Sequence, residues 1–157
     1  MTRYVYDAAV RWSDMDVYGH VNNARFLTLY EEARVAMFFT AARAQGLTSF
    51  EEGIVIARHE VDYLRPVDYG PRREAGDPAS VDSGAGSAGA ASSPRVRIEM
   101  WISQLRASRF TVAYELFDEG NLAGRAKSVC VPYNLAEGFP RRLSEAERHF
   151  LEPYVEE

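Results

Sequence analysis

The stretch NARFLTLYEEARVAMFFTAARAQG, residues 23–46, decides the fold of this chain of 157 residues. Apolar side chains recur in it at steps of three and four, which is the spacing of one face of an α-helix. These positions are Phe26, Tyr30, Ala33, Met37, Ala41 and Ala44, and the face is widened by Leu27, Leu29, Val35 and Phe38. Because a helix that is apolar on several sides is covered by other elements, the pattern predicts a core helix that ends near Gly46.

Five segments outside this helix alternate apolar and polar side chains with the period of a β-strand. They are residues 4–12, 54–67, 95–105, 109–120 and 122–135. The sequence DEGN at 118–121 is typical of a tight turn, so the last two strands are predicted to form a hairpin. Near the C-terminus, Ser144 followed by Glu147 has the spacing of a capping box and predicts a short helix over residues 144–154.

The order of these elements predicts the class of fold. One strand, a long helix and four further strands follow one another, and short connections favour antiparallel pairing of the strands. A single sheet covers a central helix only if the sheet curls around it. We therefore predict an α+β fold in which a curved antiparallel sheet of about five strands wraps a long central helix. The chain length suits a single domain over residues 1–157.

The composition changes sharply between the second and third predicted strands. Residues 71–94 are dominated by Gly, Ala, Ser and Pro, and Val81 is their only large aliphatic side chain. Such a segment buries too little apolar surface to offset the entropy that is lost when it becomes ordered. The composition predicts a flexible insertion, and a lid over a ligand is the alternative interpretation.

Charge and composition exclude several classes of protein. The net charge is -5 and no basic stripe is present, so a nucleic acid is not expected as the main partner. The N-terminus lacks the apolar core of a signal peptide, and the sequence contains no run of eighteen apolar residues, which predicts a cytoplasmic protein that does not cross a membrane. The single cysteine, Cys130, lies in an apolar run and is predicted to be a buried structural thiol.

The stretch RWSDMDVYGHVNN, residues 11–23, places acidic and polar side chains immediately before the helix. A helix N-terminus has unpaired N–H groups and the positive end of the helix dipole, so it attracts negative charge, including the oxyanion of an acyl-transfer reaction. Asp16 lies seven residues before Asn23, and Gly19 allows the chain to turn back toward the helix. A carboxylate there would act as a general base toward water or attack an acyl carbon directly.

Thioesters suit this arrangement because a thiolate leaves far more easily than an alkoxide or an amine. One carboxylate with oxyanion donors then suffices, and His20 would hold the water, polarise the carbonyl or shuttle a proton. The alternative interpretation is structural: Asp14 and Asp16 cap turns, and His20 is a hydrogen-bonded structural residue. His59 and His149 have no metal-ligand spacing and are predicted to be structural or surface residues, so no metal site is expected.

The same stretch resembles the hotdog-fold thioesterases of the 4-hydroxybenzoyl-CoA thioesterase-like group, whose pattern is close to R-x-x-D-x-D-x-x-G-H-V-N-N-x-x-[YF]-L…E-x-A-R. The matching residues are Arg11, Asp14, Asp16, Gly19, His20, Val21, Asn22, Asn23, Phe26, Leu27, Glu31, Ala33 and Arg34. The sequence YLRPVDYG at 63–70 matches the Y-L-x-P segment of the same family, and the strand order agrees to about Asn134.

The resemblance implies a helix wrapped by an antiparallel sheet, a homodimer or homotetramer that pairs sheets edge to edge, and hydrolysis of an acyl-CoA thioester to the free acid and CoA. It implies no separate cofactor, because coenzyme A is part of the substrate. By position in the motif, Asp16 is the catalytic carboxylate, as base or nucleophile, the backbone N–H of Asn23 is the oxyanion donor, and His20 supports them. The acyl chain is expected in a crevice at the subunit interface.

Five further residues complete the predicted substrate-binding set: Tyr18, Asn22, Arg106, Ser108 and Arg109. Tyr18 replaces the asparagine of the similar plant acyl-ACP thioesterase motif, and Arg106 replaces a glycine that many relatives carry. Arg106 and Arg109 would meet the phosphates of CoA, although solvated strand ends explain them equally well. Three alternatives to an acyl-CoA thioesterase stay open: a non-catalytic acyl-CoA-binding module, an acyl-ACP thioesterase and a hotdog dehydratase.

Overall fold

The computed structural model describes residues 2–69 and 94–156. The predicted insertion at 71–94 therefore lies outside the described residues, apart from Pro94. Helical structure begins at Asn23 and continues through three consecutive segments: α1 (Asn23–Val35), a π-helical segment (Ala36–Ala41) and α2 (Ala42–Ala44). We call residues 23–44 the central helix. Shortly after it, Gly46 has a φ of 80°, the left-handed conformation that ends helices, as predicted.

The buried face of the central helix agrees with the prediction in its first half and departs from it in its second half. The buried residues are Phe26, Leu29, Tyr30, Ala33, Arg34, Met37, Phe38 and Ala42. Of the other predicted positions, Leu27 and Ala41 are partly buried, whereas Val35 and Ala44 are exposed. A π-helical turn holds one more residue than an α-helical turn. After Met37, the face that contacts the sheet therefore advances from position 41 to position 42.

The sheet contains five long strands, which confirms the predicted α+β fold. They are β1 (Tyr4–Ala9), β2 (Ile54–Tyr63), β3 (Arg95–Leu105), β4 (Phe110–Asp118) and β5 (Asn121–Asn134), and the two-residue β6 (Phe139–Pro140) pairs with β5. The spatial order is β1-β3-β4-β5-β2, and every neighbouring pair is antiparallel. This order leaves β1 and β2 as the edges of the described sheet.

The predicted hairpin joins β4 to β5 through Glu119 and Gly120. Both residues have positive φ, 48° and 80°. Two successive residues with positive φ form the tight turn whose twist matches that of the paired strands. The prediction from the sequence DEGN is therefore confirmed.

The core lies between the central helix and the concave face of the sheet. Phe38 packs against Phe50 and Phe110, with ring centroids 5.2 and 5.5 Å apart, and Tyr30 lies 4.9 Å from Tyr114. Burying a large apolar side chain stabilises a fold by roughly 1.5–3 kcal/mol relative to leaving it in water. These aromatic contacts therefore fix the helix against the sheet.

The first predicted strand is shorter than expected. Trp12, predicted to belong to it, lies in a 3₁₀ turn (Trp12–Asp14) with its side chain 77% exposed. The turn forms because the Asp14 carboxylate accepts the Arg11 N–H at 2.8 Å, a local bond that competes with extended backbone. The second predicted strand likewise ends early, at Tyr63.

The C-terminal helix α3 (Glu145–Leu151) begins at the predicted capping box. Ser144 Oγ accepts the Glu147 N–H at 3.1 Å, and the Glu147 carboxylate accepts the Ser144 N–H at 2.8 Å. The same carboxylate is fully buried and also accepts Ser49 Oγ–H at 2.8 Å and both terminal nitrogens of Arg141 at 2.7 and 2.8 Å. We call Ser49, Arg141, Ser144 and Glu147 the α3 cluster.

Candidate active site

Residues 15–21 form a tight loop that returns the chain to the start of the central helix. The Asp16 N–H donates to the His20 carbonyl at 2.8 Å, and the Gly19 N–H donates to the Asp16 carbonyl at 3.1 Å. Gly19 has a φ of 81°, which residues with a side chain rarely adopt. The glycine therefore permits the turn that the sequence predicted.

The two aspartates of this region have different surroundings. Asp14 is buried: its carboxylate accepts the Arg11 N–H, and its carbonyl accepts the Asn22 N–H at 2.8 Å. The structural interpretation therefore holds for Asp14. Asp16 is half-buried, and its Oδ1 accepts the Tyr18 N–H at 2.9 Å. Among the described residues no donor bonds Asp16 Oδ2, which leaves this oxygen open to a ligand or a proton.

The first turn of the central helix presents an unpaired donor. Asn22 is the N-cap, and its Oδ1 accepts the Ala24 N–H at 2.9 Å. The N–H of Asn23, the first helical residue, has no acceptor within the described part of the chain. The Asn23 carbonyl accepts the Tyr63 hydroxyl at 3.1 Å, which ties β2 to the helix start. Free N–H groups and the helix dipole make this end attractive to an anion.

A cleft of about 320 Å³ opens at this end of the helix. It is lined by Asp16, His20, Val21, Asn23, Phe26, Tyr63, Leu64, Arg65 and Pro66. The structure thus brings the three residues predicted to be catalytic, Asp16, His20 and Asn23, to the wall of one cleft. A carboxylate and an unpaired N–H on a partly apolar cleft can hold an acyl group and stabilise negative charge that develops on it.

His20 has a carboxylate partner that sequence reasoning missed. The His20 Nε2 lies 3.4 Å from Asp68 Oδ1, and the two residues also form an isolated antiparallel bridge. Both side chains are partly exposed, so solvent screens the pair. Asp68 lies in the YLRPVDYG segment at 63–70. The sequence indication for its role is that it is a carboxylate close to the Y-L-x-P motif. With one imidazole nitrogen beside Asp68, the other remains for a ligand or a water.

The remaining predicted binding residues lie outside the cleft wall. Asn22 caps the helix, and Tyr18 stands at the loop turn with 81% of its surface exposed. Arg106, Ser108 and Arg109 occupy the turn between β3 and β4, where all three are exposed. None of these five residues lines the cleft that contains the predicted catalytic set.

The turn between β3 and β4 lies at the far end of the sheet from the cleft. Phe26, on the cleft wall, packs over Gly124, which pairs with Leu116, whereas the turn adjoins Phe110. Leu116 and Phe110 are six positions apart on β4, which is about 20 Å along the strand. Within one chain, therefore, the structure does not bring Arg106 and its neighbours to the cleft. Their contact with CoA stays a prediction.

The segment after β2 supplies cleft residues that sequence reasoning missed. The N–H groups of Leu64 and Arg65 donate to the Ala123 carbonyl at 2.9 and 3.1 Å, which fixes this segment to the sheet. Arg65 adds a cation to the cleft wall. It occupies the position that the Y-L-x-P pattern leaves unspecified, so the pattern alone gave no reason to select it.

Other polar groups have structural surroundings. His59 Nδ1 lies 2.8 Å from Ser128 Oγ, and burial, together with the nearby Arg34, lowers the pKa of this imidazole and favours its neutral form. Cys130 is buried, as predicted, and burial raises the pKa of its thiol to about 12. His149 is exposed. In the described ranges, no three His, Cys, Asp or Glu side chains are grouped so as to hold a metal ion. No helix of residues 2–69 and 94–156 is long and apolar enough to cross a membrane.

A curled antiparallel sheet around a central helix, with a carboxylate and a free N–H on a cleft at the helix start, is the arrangement of a hotdog-fold thioesterase. Residues 10–153 match the family model described as the Thioesterase-like superfamily, and the chain belongs to this family. The family inferred from the motif at residues 11–34 is thus confirmed.

Solved structures of similar fold carry the same class name. The chain is similar to a predicted thioesterase from Bacillus stearothermophilus, with a TM-score of 0.75 and 22% identity over 99% of this chain and 98% of that one. It is also similar to a thioesterase from Thermus thermophilus complexed with coenzyme A and Zn, with a TM-score of 0.68 and 26% identity over 96% and 92% of the two chains.

A curated relative is similar over a shorter region. The long-chain acyl-CoA thioesterase FadM of Escherichia coli (strain K12) is 39% identical over 57 residues, which cover 36% of this chain and 43% of that protein. The chain therefore matches less than half the length of this relative.

Proposed function

We propose that the chain hydrolyses an acyl-CoA thioester to the free acid and CoA. The observation that carries this proposal is the cleft at the helix start. There, Asp16 and Asn23 line the same wall, and among residues 2–69 and 94–156 one Asp16 carboxylate oxygen and the Asn23 N–H have no hydrogen-bond partner. Thioester hydrolysis needs both a group that activates water or attacks the carbonyl and a donor for the oxyanion. Membership in the Thioesterase-like superfamily supports this class of reaction.

The residues of the cleft have complementary roles in the proposed reaction. The thioester carbonyl oxygen lies against the Asn23 N–H, where the helix dipole adds to the hydrogen bond as negative charge develops. Asp16 takes a proton from a water that attacks the carbonyl carbon, or attacks that carbon to form an anhydride that water opens. In either route the carbon–sulfur bond breaks, and the CoA thiolate leaves and is protonated. His20, beside Asp68, orients the water or returns the proton.

Two features of the cleft support CoA as the carrier of the acyl group. Arg65 supplies a cation that suits a phosphate, and Phe26, Tyr63 and Leu64 supply apolar surface for the acyl chain. The Thermus protein with coenzyme A and FadM, a long-chain acyl-CoA thioesterase, agree with this choice. We propose no cofactor beyond the coenzyme A of the substrate.

We also propose a cytoplasmic homo-oligomer, as a homodimer or homotetramer. β1 and β2 form the edges of the described sheet, and a strand edge presents backbone groups that a second copy can pair with. Light scattering after gel filtration measures the assembly. A monomer at micromolar concentration would contradict this part of the proposal.

Replacement of the carboxylate tests the reaction directly. Thiol release is measured on a panel of acyl-CoA thioesters for the wild type and for Asp16→Asn. We expect kcat to fall a hundredfold or more, the usual contribution of a positioned acid–base group, with the thermal unfolding midpoint unchanged. Asp7→Asn, which changes an exposed carboxylate on β1, serves as the matched control and should leave kcat as in the wild type. Unchanged turnover in Asp16→Asn refutes the assignment of this residue.

The same panel separates the alternatives. Tight binding of acyl-CoA by the wild type without thiol release would identify a non-catalytic binding module. Release from acyl carrier protein thioesters alone would identify an acyl-ACP thioesterase. Hydration or dehydration of an acyl chain with its thioester intact would identify a dehydratase.

A further inference from the structure

Two neighbouring tyrosines in the core, whose rings are tilted by 43°, differ in the hydrogen bonds of their hydroxyl groups. Tyr114 accepts a hydrogen bond from Arg34 Nη1 at 3.1 Å. Tyr30, whose ring centroid lies 4.9 Å from that of Tyr114, is only 1% exposed, and its hydroxyl has no hydrogen-bond partner among the described residues. A buried polar group without a partner destabilises a fold, so its retention calls for an explanation.

The unpaired hydroxyl lies directly behind the wall of the candidate active site. A Cβ placed on Gly124 would stand 2.8 Å from Tyr30 Oη and 3.2 Å from Phe26 Cε1, so both side chains pack directly against this glycine, where a larger residue would clash with them. Phe26 lines the cleft and packs edge-on against Tyr63, another lining residue, with centroids 5.2 Å apart. Tyr63 also pairs with Gly124 across β2 and β5, so two rings that line the cleft adjoin the glycine against which the Tyr30 hydroxyl packs.

Of these two rings, that of Tyr63 is held by weak interactions. Tyr63 is 48% exposed on the edge strand β2, and its hydroxyl makes an exposed hydrogen bond to the Asn23 carbonyl. Exchange of that bond for one to water costs little, since exposed hydrogen bonds contribute modestly to stability. Rotation of the Tyr63 ring would open a way from the cleft toward Gly124 and the Tyr30 hydroxyl.

We propose that Tyr30 determines specificity for the acyl group, and that its hydroxyl bonds an oxygen atom carried by the acyl chain. The preferred substrates are then acyl thioesters with a hydroxyl or keto group in the chain. This inference rests on the proposed function. A buried polar group that meets its partner only in the correct substrate rejects the analogue that lacks this partner, because the group is then left unpaired.

The position of Tyr30 on the helix indicates where this oxygen lies in the acyl chain. Tyr30 follows Asn23 by seven residues, which is two turns or about 10 Å along the helix axis. Its side chain leans back toward the helix N-terminus, which shortens that separation. With the thioester carbonyl at the Asn23 N–H, the recognised oxygen lies several carbon atoms beyond the carbonyl.

A positional series of substrates tests the proposal. Thiol release is measured for decanoyl-CoA and for decanoyl-CoA thioesters that carry one hydroxyl at successive positions along the chain. We expect the wild type to prefer one mid-chain position over decanoyl-CoA by at least tenfold in kcat/KM. Tyr30→Phe should reduce this ratio to about one, whereas Tyr114→Phe should keep it, because the Tyr114 hydroxyl already bonds Arg34.

Binding of the same series to Asp16→Asn separates this proposal from the proposed function. If turnover is absent but a mid-chain hydroxyl still strengthens binding through Tyr30, the role of Tyr30 stands and the hydrolytic proposal fails. If turnover depends on Asp16 but Tyr30→Phe keeps the wild-type preference, or the wild type has none, the role of Tyr30 is overturned. Absence of acyl-CoA binding overturns both.

A stability measurement adds an independent readout. Tyr30→Phe should unfold at a temperature no lower than the wild type, because it removes a hydroxyl that has no partner among the described residues. A clearly lower unfolding temperature would show that the hydroxyl is already satisfied, for example by a buried water, and would overturn the proposal. Tyr114→Phe, which loses the bond to Arg34, should unfold at a lower temperature.

Discussion

Two carboxylates at opposite ends of the central helix have opposite surroundings. Glu147 is fully buried and accepts four hydrogen bonds within the α3 cluster, two on each oxygen. Asp16 lies half-buried on an open cleft and accepts one hydrogen bond, from the Tyr18 N–H, among the described residues. The Glu147 carboxylate therefore uses all of its acceptor positions, whereas the Asp16 carboxylate, within the described residues, uses one.

This difference separates a carboxylate that stabilises the fold from one that is free to react. Burial alone raises the pKa of Glu147, but hydrogen bonds from Arg141, Ser144 and Ser49 outweigh burial and leave the pKa below its ordinary value of 4.5. Glu147 therefore stays ionised and bonded at neutral pH. An oxygen without a donor, as on Asp16, retains its capacity for a water proton or an acyl carbon.

The largest effect on stability is expected from Glu147→Gln. This change removes one charge from a buried ion pair and leaves Arg141, among the described residues, paired only with the exposed carboxylate of Glu52, so the free energy of unfolding should fall by about 3–5 kcal/mol. Urea unfolding at pH 7 measures this fall in the free energy of unfolding. The kcat of the folded variant should equal that of the wild type, since the α3 cluster lies away from the cleft. A stability loss in Asp16→Asn as large as that in Glu147→Gln would remove the distinction between the two carboxylates.

Asp14→Ala tests a third carboxylate, for which we expect a stability loss between those of Glu147→Gln and Asp16→Ala. The change leaves the Arg11 N–H without its acceptor and loosens the turn before the cleft, so we expect a loss of about 1–3 kcal/mol in the free energy of unfolding. Asp16→Ala should cost less than about 0.5 kcal/mol, as is usual for a position without structural bonds to side chains. Equal losses in the two variants would show that the cleft carboxylate is also structural.

A smaller effect is expected on substrate affinity. Arg65→Gln should raise KM for acyl-CoA roughly fivefold with kcat unchanged, which corresponds to about 1 kcal/mol of an exposed charge contact. Arg106→Gln is the matched control on the distant turn and should change KM less than about twofold, the ordinary range for a surface substitution. A larger rise in Arg106→Gln than in Arg65→Gln would show that the distant turn reaches CoA in the assembled protein.

The smallest expected effect is a difference in pH dependence. The pKa of Glu147 is lower in the folded chain than in the unfolded chain, so its contribution to stability is present above pH 4.5 and is lost as pH falls through the folded pKa. Urea unfolding of the wild type and of Glu147→Gln, at several pH values from 7 down to the pH at which the wild type unfolds, measures this loss. The difference in stability between them should shrink below pH 4.5. A difference in stability between the two proteins that does not change with pH would contradict the lowered pKa of Glu147.

Periodicity predicted the fold well because it depends on local spacing. The helix from Asn23, the five strands and the turn at 118–121 each follow from which side chains alternate or recur. The π-helical segment (Ala36–Ala41) could not be predicted in this way, because it changes the phase of the helix without changing the composition of its residues.

The site was predicted in part, for a similar reason. Asp16 and Asn23 are close in sequence and share a loop, so their meeting in one cleft follows from local geometry. Arg65 reaches the same cleft from another segment, and Asp68 from that segment contacts the cleft residue His20; no local pattern reveals such contacts. Arg106 was selected for its charge, but the length of β4 places it far from the cleft in one chain.

The π-helical segment has a mechanical consequence for the molecule. The loop at residues 15–21 orients the first half of the central helix, and the ring contacts of Phe38 with Phe50 and Phe110 orient the second half. The one extra residue of the π-helical turn rotates the second half of the helix relative to the first, so each half packs against its own neighbours. Removal of one residue from 36–41 would restore α-helical winding and rotate the two halves relative to each other, so the cleft wall and the core could not both keep their present contacts.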